Sequence, residues 1–417
     1  MGAAFAAACL LALASAATSQ EAPEVIEASQ PSRPLLGVIR WDMYSGHPYT
    51  TQKQEFGFLK PEKYHWRAPF FVRRTGDPEA PLAFNPEYLP EPIQEATDAE
   101  IAFAASGGID YWAFGHHGRH QTVRRALRDG LEAYLRSPLK TQVGFCLIAN
   151  AAGMGSTEFW EPASVIHTEA EVLDDWRQYV DEYVELMREP TYQRVLGGRP
   201  LLYVYQPSLL GEGQRKEPAP LALIRGAFDH LRNRLQQSGV GNPYIVGMVN
   251  SGLDVWRELV AEGLLDAVTL YHYRYGVPEA TEPIPYADLW PAIRRTVLDG
   301  VFGDADLRVV PILMSGADWM PRAEKNPEIF PAWDWAEPLP GDLARHVTAG
   351  LDYVVEHPAK CEANSVIMYG WNEHSEGGAI CPLMGEAPDY RPVTRQIDEV
   401  SGALRSWVPP SPPTEAP

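Results

Sequence analysis

Eight short apolar runs recur along the chain, separated by longer stretches of mixed polarity. The runs are nearly continuous rather than alternating, which is typical of strands that are buried on both faces of a parallel sheet. The predicted strands span residues 35–41, 110–115, 142–149, 200–206, 244–250, 267–273, 308–315 and 365–371.

Helical periodicity fills the intervals, with apolar residues at steps of three and four. The predicted helices span residues 99–106, 122–136, 169–188, 221–237, 253–262, 286–299, 343–356 and 393–407. This alternation predicts an α/β protein, a single closed (β/α)8 TIM barrel in which the last strand lies beside the first. A doubly wound open sheet is the alternative, although no glycine-rich phosphate loop follows the first strand.

Composition narrows the range of partners. The 417 residues are 45% hydrophobic, enough for a large core. Acidic residues exceed basic ones by 55 to 35, and the formal net charge is −20. Because such a surface repels nucleic acids and anionic membranes, neither is an expected partner. We also expect the protein to be a monomer.

The N-terminal segment has the pattern of a secretory signal. Its apolar run ends near Ala14-Ser15-Ala16 and is too short to span a bilayer. The predicted organisation is a signal peptide at 1–16, a leader at 17–33, a barrel domain at 34–408 and a proline-rich tail at 409–417. The protein would then be secreted or periplasmic. A short buried helix and a lipid anchor at Cys9 are the alternatives for the first segment.

Chemically capable side chains follow nearly every predicted strand. In a parallel barrel the active site forms at the carboxyl ends of the strands. Aromatic faces and hydrogen-bonding groups are what a sugar ring requires, so we predict a carbohydrate-binding cleft there. The candidate substrate-binding residues are Trp41, Asp42, Tyr44, Trp112, His116, His117, Asn150, Tyr205, Gln206, Asn250, Tyr271, His272, Asp318, Trp319, Arg322, Trp371, Asn372 and His374.

Glu373 and Glu376, which follow the last strand, are the candidate catalytic residues. Glycosidic bond cleavage commonly uses two carboxyl groups, and two acids three residues apart face one cavity if the backbone curls there. We expect both to lie at one cavity, near Trp371 and Tyr271. A pair of solvated loop acids is the alternative.

Several further groups have more than one interpretation. Asp318 and Arg322 form either a sugar-binding pair or a plain loop ion pair. His116 and His117 bind sugar hydroxyls, pack structurally, or ligate a metal with His272 or His374. Since their spacing matches no zinc motif, we predict neither a metal nor a cofactor.

The loop and cysteine patterns complete the expectations. The long insertion at 43–92 is expected to shape access to the site, with a structural cover as the alternative. Cys361 precedes the last strand and Cys381 follows it, so the two would lie about 20 Å apart, too far for a disulfide.

Two segments carry a family resemblance. Residues 371–377, Trp-Asn-Glu-His-Ser-Glu-Gly, resemble the Trp-Asn-Glu-Trp-x-Glu-Gly motif of glycoside hydrolase family 99 and its relatives. Residues 316–322, Gly-Ala-Asp-Trp-Met-Pro-Arg, resemble the Gly-Trp-Asp-x-x-Pro-Arg-type segment after strand 7 of the same group. The order of elements agrees from about residue 35 to residue 405.

The resemblance implies a retaining, metal-independent enzyme that acts on α-mannosides. It implies that Glu373 is the base on the sugar 2-hydroxyl, giving a 1,2-anhydro sugar, and that Glu376 is the general acid/base. For these roles we expect the pKa of Glu376 to be raised and Glu373 to be ionised. His374 stands where the family has an aromatic residue, a departure that concerns the identity of the substrate.

Three functions are compatible with these observations. The first is a secreted glycoside hydrolase acting on a polysaccharide or glycan. The second is a glycosyltransferase-like barrel of envelope polysaccharide metabolism, and the third is a carbohydrate-binding barrel without catalysis. The signal pattern and the lack of a nucleotide-sugar site favour the hydrolase. The sequence contains no Gly-x-Ser-x-Gly elbow, so we do not expect a serine hydrolase.

Overall fold

Eight parallel strands surround the centre of the molecule. The computed structural model describes residues 33–46, 51, 55–86, 92–120, 126–155, 165–212, 217–249, 255–273, 283–328 and 336–410. The strands are β1 (Leu35–Arg40), β2 (Tyr111–His116), β3 (Gly144–Asn150), β4 (Arg199–Tyr205), β5 (Tyr244–Met248), β6 (Ala267–Thr269), β7 (Ile312–Met314) and β8 (Ser365–Tyr369). Each lies within a predicted strand or differs from it by one residue at an end.

The sheet closes on itself. β8 pairs in parallel with β1, with Leu35 opposite Ser365, and with β7 on its other side. Between β6 and β7, closure depends on a parallel bridge of Val268 with Val309, where the Val268 amide donates to the Arg308 carbonyl at 3.0 Å. The closed barrel with β8 beside β1 is therefore confirmed, and the open-sheet alternative is wrong.

Helices connect the strands on the outside. In the described residues they are α1 (Pro92–Gly107), α2 (Asp129–Arg136), α3 (Glu169–Leu186), α4 (Leu221–Gln237), α5 (Val255–Ala261), α6 (Leu289–Ile293), α7 (Asp342–Glu356) and α8 (Arg395–Ser406). α6 continues as a π-helical stretch, Arg294–Val301. α1 begins earlier than predicted, because its first turns bury only the small side chains Ala96 and Thr97, which give little hydrophobic signal.

Strand side chains alternate between the barrel interior and the helical layer. Inside, the Tyr111 hydroxyl lies 2.9 Å from both the Tyr203 hydroxyl and the Ser365 hydroxyl, which joins three strands. Gly37 leaves room for this group, since a Cβ there would lie 2.1 Å from the Tyr111 ring. The neighbouring Trp112 points outward and contacts Tyr134 of α2.

The insertion after β1 packs on the segment after β8. Its described part contains a small antiparallel pair, Val72–Arg74 with Leu82–Phe84, and Pro69 bridges to Leu383. Residues from Arg33 onward belong to one compact unit, and the predicted signal and leader before it lie outside the described residues, as does the tail from 411.

Two smaller findings concern the thiols and the helices. Cys146, Cys361 and Cys381 are free and buried. Among the described helices, none combines the length and the apolar character that crossing a membrane requires.

Candidate active site

The chain curls back directly after β8. Asn372–Glu373 pairs antiparallel with Gly378–Ala379, and the 3-10 turn His374–Glu376 lies between them. Gly377 closes the turn at φ 66°, and a Cβ there would lie 2.8 Å from the Asp318 amide nitrogen, so glycine is required for both reasons. This is the curl that the predicted pairing of Glu373 with Glu376 requires.

Glu373 is buried at this turn among polar and charged neighbours. Its side chain is buried, and the Tyr271 hydroxyl donates to its Oε1 at 3.3 Å. Burial, and then the neighbouring negative charge of Glu376, raises the pKa of Glu373 well above its usual range, against the opposing effect of Arg322. This direction favours the protonated form of Glu373 in the free site, whereas the expectation is an ionised Glu373.

Glu376 has the opposite surroundings. The Arg322 Nη1 lies 2.6 Å from its Oε1, and the Tyr369 hydroxyl donates to its Oε2. A guanidinium at this distance favours the charged carboxylate. The two acids thus differ in their direct partners: Glu376 contacts a guanidinium, whereas Glu373 accepts from a tyrosine hydroxyl.

Sequence reasoning missed two groups that hold Arg322. Its Nε donates to the Ser375 hydroxyl at 2.8 Å, and its Nη2 lies 3.3 Å from Glu55 Oε2. The Ser375 hydroxyl in turn donates to Glu55 at 2.9 Å. Glu55 belongs to the long insertion, which was expected to matter, but no motif distinguishes this acid from the other acids around it.

Rings from four strand ends form a continuous aromatic wall beside the two acids. Tyr205 after β4 lies 5.1 Å from Tyr271, which lies 5.5 Å from Tyr369. His272 lies 5.7 Å from Tyr369 and 5.9 Å from Trp319. Tyr205, Tyr271 and His272 are only half-buried, so their faces remain accessible, as a sugar-binding surface requires.

Trp112 and Trp371 do not belong to this wall, and their prediction as substrate-binding residues is wrong. Both are fully buried, with ring centroids 5.1 Å apart. The Trp371 indole donates to Glu100 of α1 at 3.3 Å, and Arg40 lies over the Trp112 ring at 4.5 Å. These side chains face the helical layer, because strand residues alternate between the two sides.

Asp42 and Asn372 likewise have structural positions rather than the predicted contacts with substrate. Asp42 is buried, accepts from the Leu131 amide at 3.1 Å, and has a pKa raised to about 6 by burial, against the charge of Arg40. The Asn372 side chain accepts from the Trp41 amide at 3.0 Å and donates to the Trp41 carbonyl at 2.8 Å. These two bonds tie the end of β1 to the turn that carries Glu373 and Glu376.

Tyr44 and His374 pack against each other at the turn that carries Glu373 and Glu376. The Tyr44 hydroxyl accepts from the Ser375 amide at 2.8 Å, and its ring lies 4.9 Å from the His374 ring. Both side chains are buried, and burial lowers the pKa of His374 to about 3, so it stays neutral. Neither side chain is placed to contact a substrate, so the prediction of both as substrate-binding residues is wrong.

Asp318 pairs with a different arginine from the one expected. Arg67, from the insertion, forms an ion pair with the Asp318 carboxylate and donates to its carbonyl at 3.0 Å. The Asp318 carboxylate also accepts at 3.0 Å from the amide of Met320, the first residue of the short helix Met320–Lys325 that carries Arg322. The predicted pairing of Asp318 with Arg322 is replaced by a positioning role for that helix.

His116 faces α3 rather than a substrate, which corrects its assignment. Its Nε2 lies 3.3 Å from Glu182, and its ring packs against Tyr179 and Tyr183. Burial lowers the pKa of His116. Beside it, His120 forms ion pairs with Asp175 and Glu182. Burial opposes the charge on His120, but Asp175 and Glu182 outweigh it and raise its pKa to about 9.

We expect His120→Gln to destabilise the fold in a pH-dependent way. Because the folded pKa of about 9 exceeds the usual value of 6.5, the stabilisation is complete below pH 6.5 and is lost as the pH rises through 9. Urea unfolding should show a loss of about 1–3 kcal/mol at pH 6 that vanishes near pH 10. His230→Gln is the control, because burial lowers the pKa of His230, and an identical profile for both variants would refute the assignment.

The remaining candidates lie at other strand ends or outside the described residues. Trp41 and His117 contact each other at 5.5 Å on the β1 side. The Asn150 side chain accepts from the Gly153 amide at 3.3 Å, so it caps its own turn. Gln206 is half-buried in a left-handed conformation, and Asn250 lies outside the described residues.

Within the described residues, no group of three histidine, cysteine, aspartate or glutamate side chains is arranged to hold a metal ion. His116, His117 and His374 contact different partners, Glu182, Trp41 and Tyr44 respectively, so the predicted alternative of a shared metal site is not assembled from them.

Comparison with known proteins places the fold. No protein-family profile and no curated protein sequence matches the chain. Among solved structures, a glycoside hydrolase-like protein matches at 13% identity and a TM-score of 0.52, over 89% of this chain and 93% of that chain. A family 99 endo-α-mannosidase from Bacteroides thetaiotaomicron matches at 11% identity and a TM-score of 0.43, over 89% and 96%. At 13% identity the first likeness shows a shared fold, the (β/α)8 barrel described above.

Proposed function

We propose that this chain is a secreted glycoside hydrolase whose two reacting carboxyl groups are Glu373 and Glu376. The observation that carries the proposal is their pairing in one buried turn at the carboxyl end of the barrel, with Arg322 at 2.6 Å from one acid and burial raising the pKa of the other. Two carboxyl groups in different protonation states are what glycosidic cleavage requires.

The surroundings suggest the division of labour. Glu373, kept neutral by burial and by the charge on Glu376, gives its proton to the departing glycosidic oxygen. Glu376, whose Oε1 lies 2.6 Å from Arg322 Nη1, takes the proton of the incoming hydroxyl group as its oxygen bonds to the anomeric carbon and the bond to the leaving group breaks. This reverses the roles that the resemblance of residues 371–377 to family 99 implies.

An α-mannoside-like glycan is the proposed substrate. The resemblance of residues 316–322 and 371–377 to family 99 supports this class. The rings of Tyr205, Tyr271 and His272 offer faces for sugar C–H groups. Arg322 is neutralised by Glu376 and Glu55, so the described part of the site favours a neutral sugar over an anionic one.

Screening against defined glycans tests the proposal. Purified protein should release products from α-mannosides or related polysaccharides, identified by mass spectrometry, and a Glu373→Gln/Glu376→Gln double variant should release none. Binding without product release by the wild-type protein would instead support the carbohydrate-binding barrel. Sugar transfer from an activated donor, without hydrolysis, would support the glycosyltransferase-like alternative.

Secretion rests on the apolar run at residues 1–16 and has its own test. N-terminal sequencing of the protein recovered outside the cytoplasm should begin near residue 17. A product that keeps residue 1 and stays in the cytoplasm would contradict this part of the proposal.

Activity is expected to survive exhaustive chelation. In the part of the chain that the structure describes, no three histidine, cysteine or acidic side chains are grouped to hold a metal ion, and the two glutamates suffice for the chemistry. The measurement is hydrolysis before and after dialysis against a chelator. Loss of activity that a divalent ion restores would contradict the expectation.

A further inference from the structure

Glu55 is a third buried acid at the catalytic turn, and the proposed chemistry does not use it. It is 1% exposed and lies in the insertion after β1. The Ser375 hydroxyl donates to it at 2.9 Å, and Arg322 Nη2 lies 3.3 Å away. Its charge and a hydrogen bond also act on the Tyr44 hydroxyl, whose pKa is raised first by burial and then by Glu55. A buried carboxylate with this many partners is fixed in place.

Each of the three nitrogens of the Arg322 guanidinium has a partner. Nη1 contacts Glu376 at 2.6 Å, Nη2 contacts Glu55 at 3.3 Å, and Nε donates to the Ser375 hydroxyl at 2.8 Å. Because that hydroxyl also donates to Glu55, the three groups form a closed ring of contacts. The guanidinium is planar and rigid, so an anchor on one side determines where the other side lies.

We propose that Glu55 is a positioning residue, resting on the proposed hydrolase function: it anchors the far side of the Arg322 guanidinium, directly and through Ser375, and so keeps the near side on Glu376. The insertion thereby contributes to the reaction from inside the site, in addition to any role in shaping access to it.

The anchor also affects the proton on Glu373. Burial and the charge of Glu376 raise the pKa of Glu373, Arg322 lowers it, Glu55 raises it further, and the Tyr271 hydrogen bond lowers it. Tyr369 also faces the pair through its hydroxyl on Glu376. Removing the charge of Glu55 takes away one negative neighbour, so the pKa of Glu373 should fall.

Glu55→Gln tests this with two readouts. The substitution keeps the shape and hydrogen-bonding capacity of the side chain but removes the charge. We expect kcat to fall by about 10–100-fold with KM little changed, because Arg322 is no longer held in place. The alkaline limb of the pH–kcat profile should move to lower pH. The control is Glu79→Gln in the same insertion, where Glu79 is exposed and pairs with Lys60 at 3.1 Å.

The second readout needs no activity. A pH titration of the protonated-carboxyl infrared band, assigned to Glu373 by its loss in Glu373→Gln, should have a lower midpoint in Glu55→Gln and an unchanged one in Glu79→Gln. If Glu55→Gln does not fold, Ser375→Ala replaces it. This substitution removes the hydroxyl that links Arg322 to Glu55 but no charge, so kcat should fall with KM little changed while the midpoint stays near the wild-type value.

The outcomes separate the two proposals. If the wild-type protein cleaves no glycan, the hydrolase function fails, while the infrared titration still decides on Glu55. If the protein is a hydrolase but Glu55→Gln, or Ser375→Ala in its place, matches the wild-type midpoint, kcat and pH profile, the positioning role is overturned.

Discussion

Glu373→Gln is expected to slow cleavage of unactivated glycans by about 10²–10⁴-fold and to affect activated aryl glycosides far less. The reason is that burial and the charge of Glu376 keep Glu373 protonated, which suits it to donate a proton to the leaving group. An aryl leaving group with a low pKa needs little such help. The measurement is kcat/KM for each variant on an oligosaccharide and on an aryl glycoside of the same sugar.

Glu376→Gln is expected to impair both kinds of substrate, because its charge acts at the anomeric carbon rather than at the leaving group. In the wild-type protein, activity should also fall as the pH rises through the pKa of Glu373, since the acid form is then lost. If Glu376→Gln spares the aryl glycosides and Glu373→Gln does not, the roles implied by the family 99 resemblance apply. Full activity in either variant would exclude the pair as catalytic.

The barrel could be predicted because its signals are local. Strands buried on both faces must be nearly continuous in apolar residues, and the run Ser365–Tyr369 illustrates this with five buried positions. Helices such as Leu221–Gln237 bury one face only and show the period of the α-helix. Boundaries failed where burial involves small or polar side chains, as in the first turns of α1 with Ala96 and Thr97.

The contents of the site could be predicted only in part. Proximity to a strand end does not say which side of the barrel wall a side chain faces, so Trp112 and Trp371 were assigned to the cleft although they pack on α1 and α2. Long-range partners have no local signal. Glu55 and Arg322 are 267 positions apart, and Arg67 and Asp318 are 251 apart, yet both pairs form side-chain contacts in the fold.

The protonation of the two glutamates shows the same limit. Nothing in residues 371–377 indicates which acid receives a cation, because that cation comes from the short helix after β7. Arg322 reaches Glu376, and Glu373 is left with a tyrosine hydroxyl and the charge of its neighbour. The spacing of a motif predicts that a pair exists, whereas packing decides how its members differ.

Arg322→Met is expected to destabilise the fold by about 3 kcal/mol at neutral pH and to abolish activity. Removing the guanidinium leaves Glu55 and Glu376, which are 1% and 6% exposed, without their cation. Breaking a buried pair costs more than breaking a surface pair, because the remaining charges cannot regain water. The Arg322 guanidinium also lies over the Phe58 ring at 5.0 Å and the Trp319 ring at 5.5 Å. Methionine places an unbranched apolar side chain beside these rings, so most of the loss should come from the missing charge.

The pH dependence and a double variant identify the cause of this loss. The destabilisation should shrink as the pH falls toward 4, where the orphaned carboxyl groups take up protons and no longer need a cation. Arg322→Met/Glu55→Gln should be more stable than Arg322→Met at pH 7, since one uncompensated buried charge is gone. The control is Arg257→Met, which breaks a largely exposed pair with Asp304 and should cost less than about 1 kcal/mol. Urea unfolding at pH 4 and pH 7 measures all four proteins, and a pH-independent loss that Glu55→Gln does not relieve would show that Arg322 stabilises the fold by packing alone.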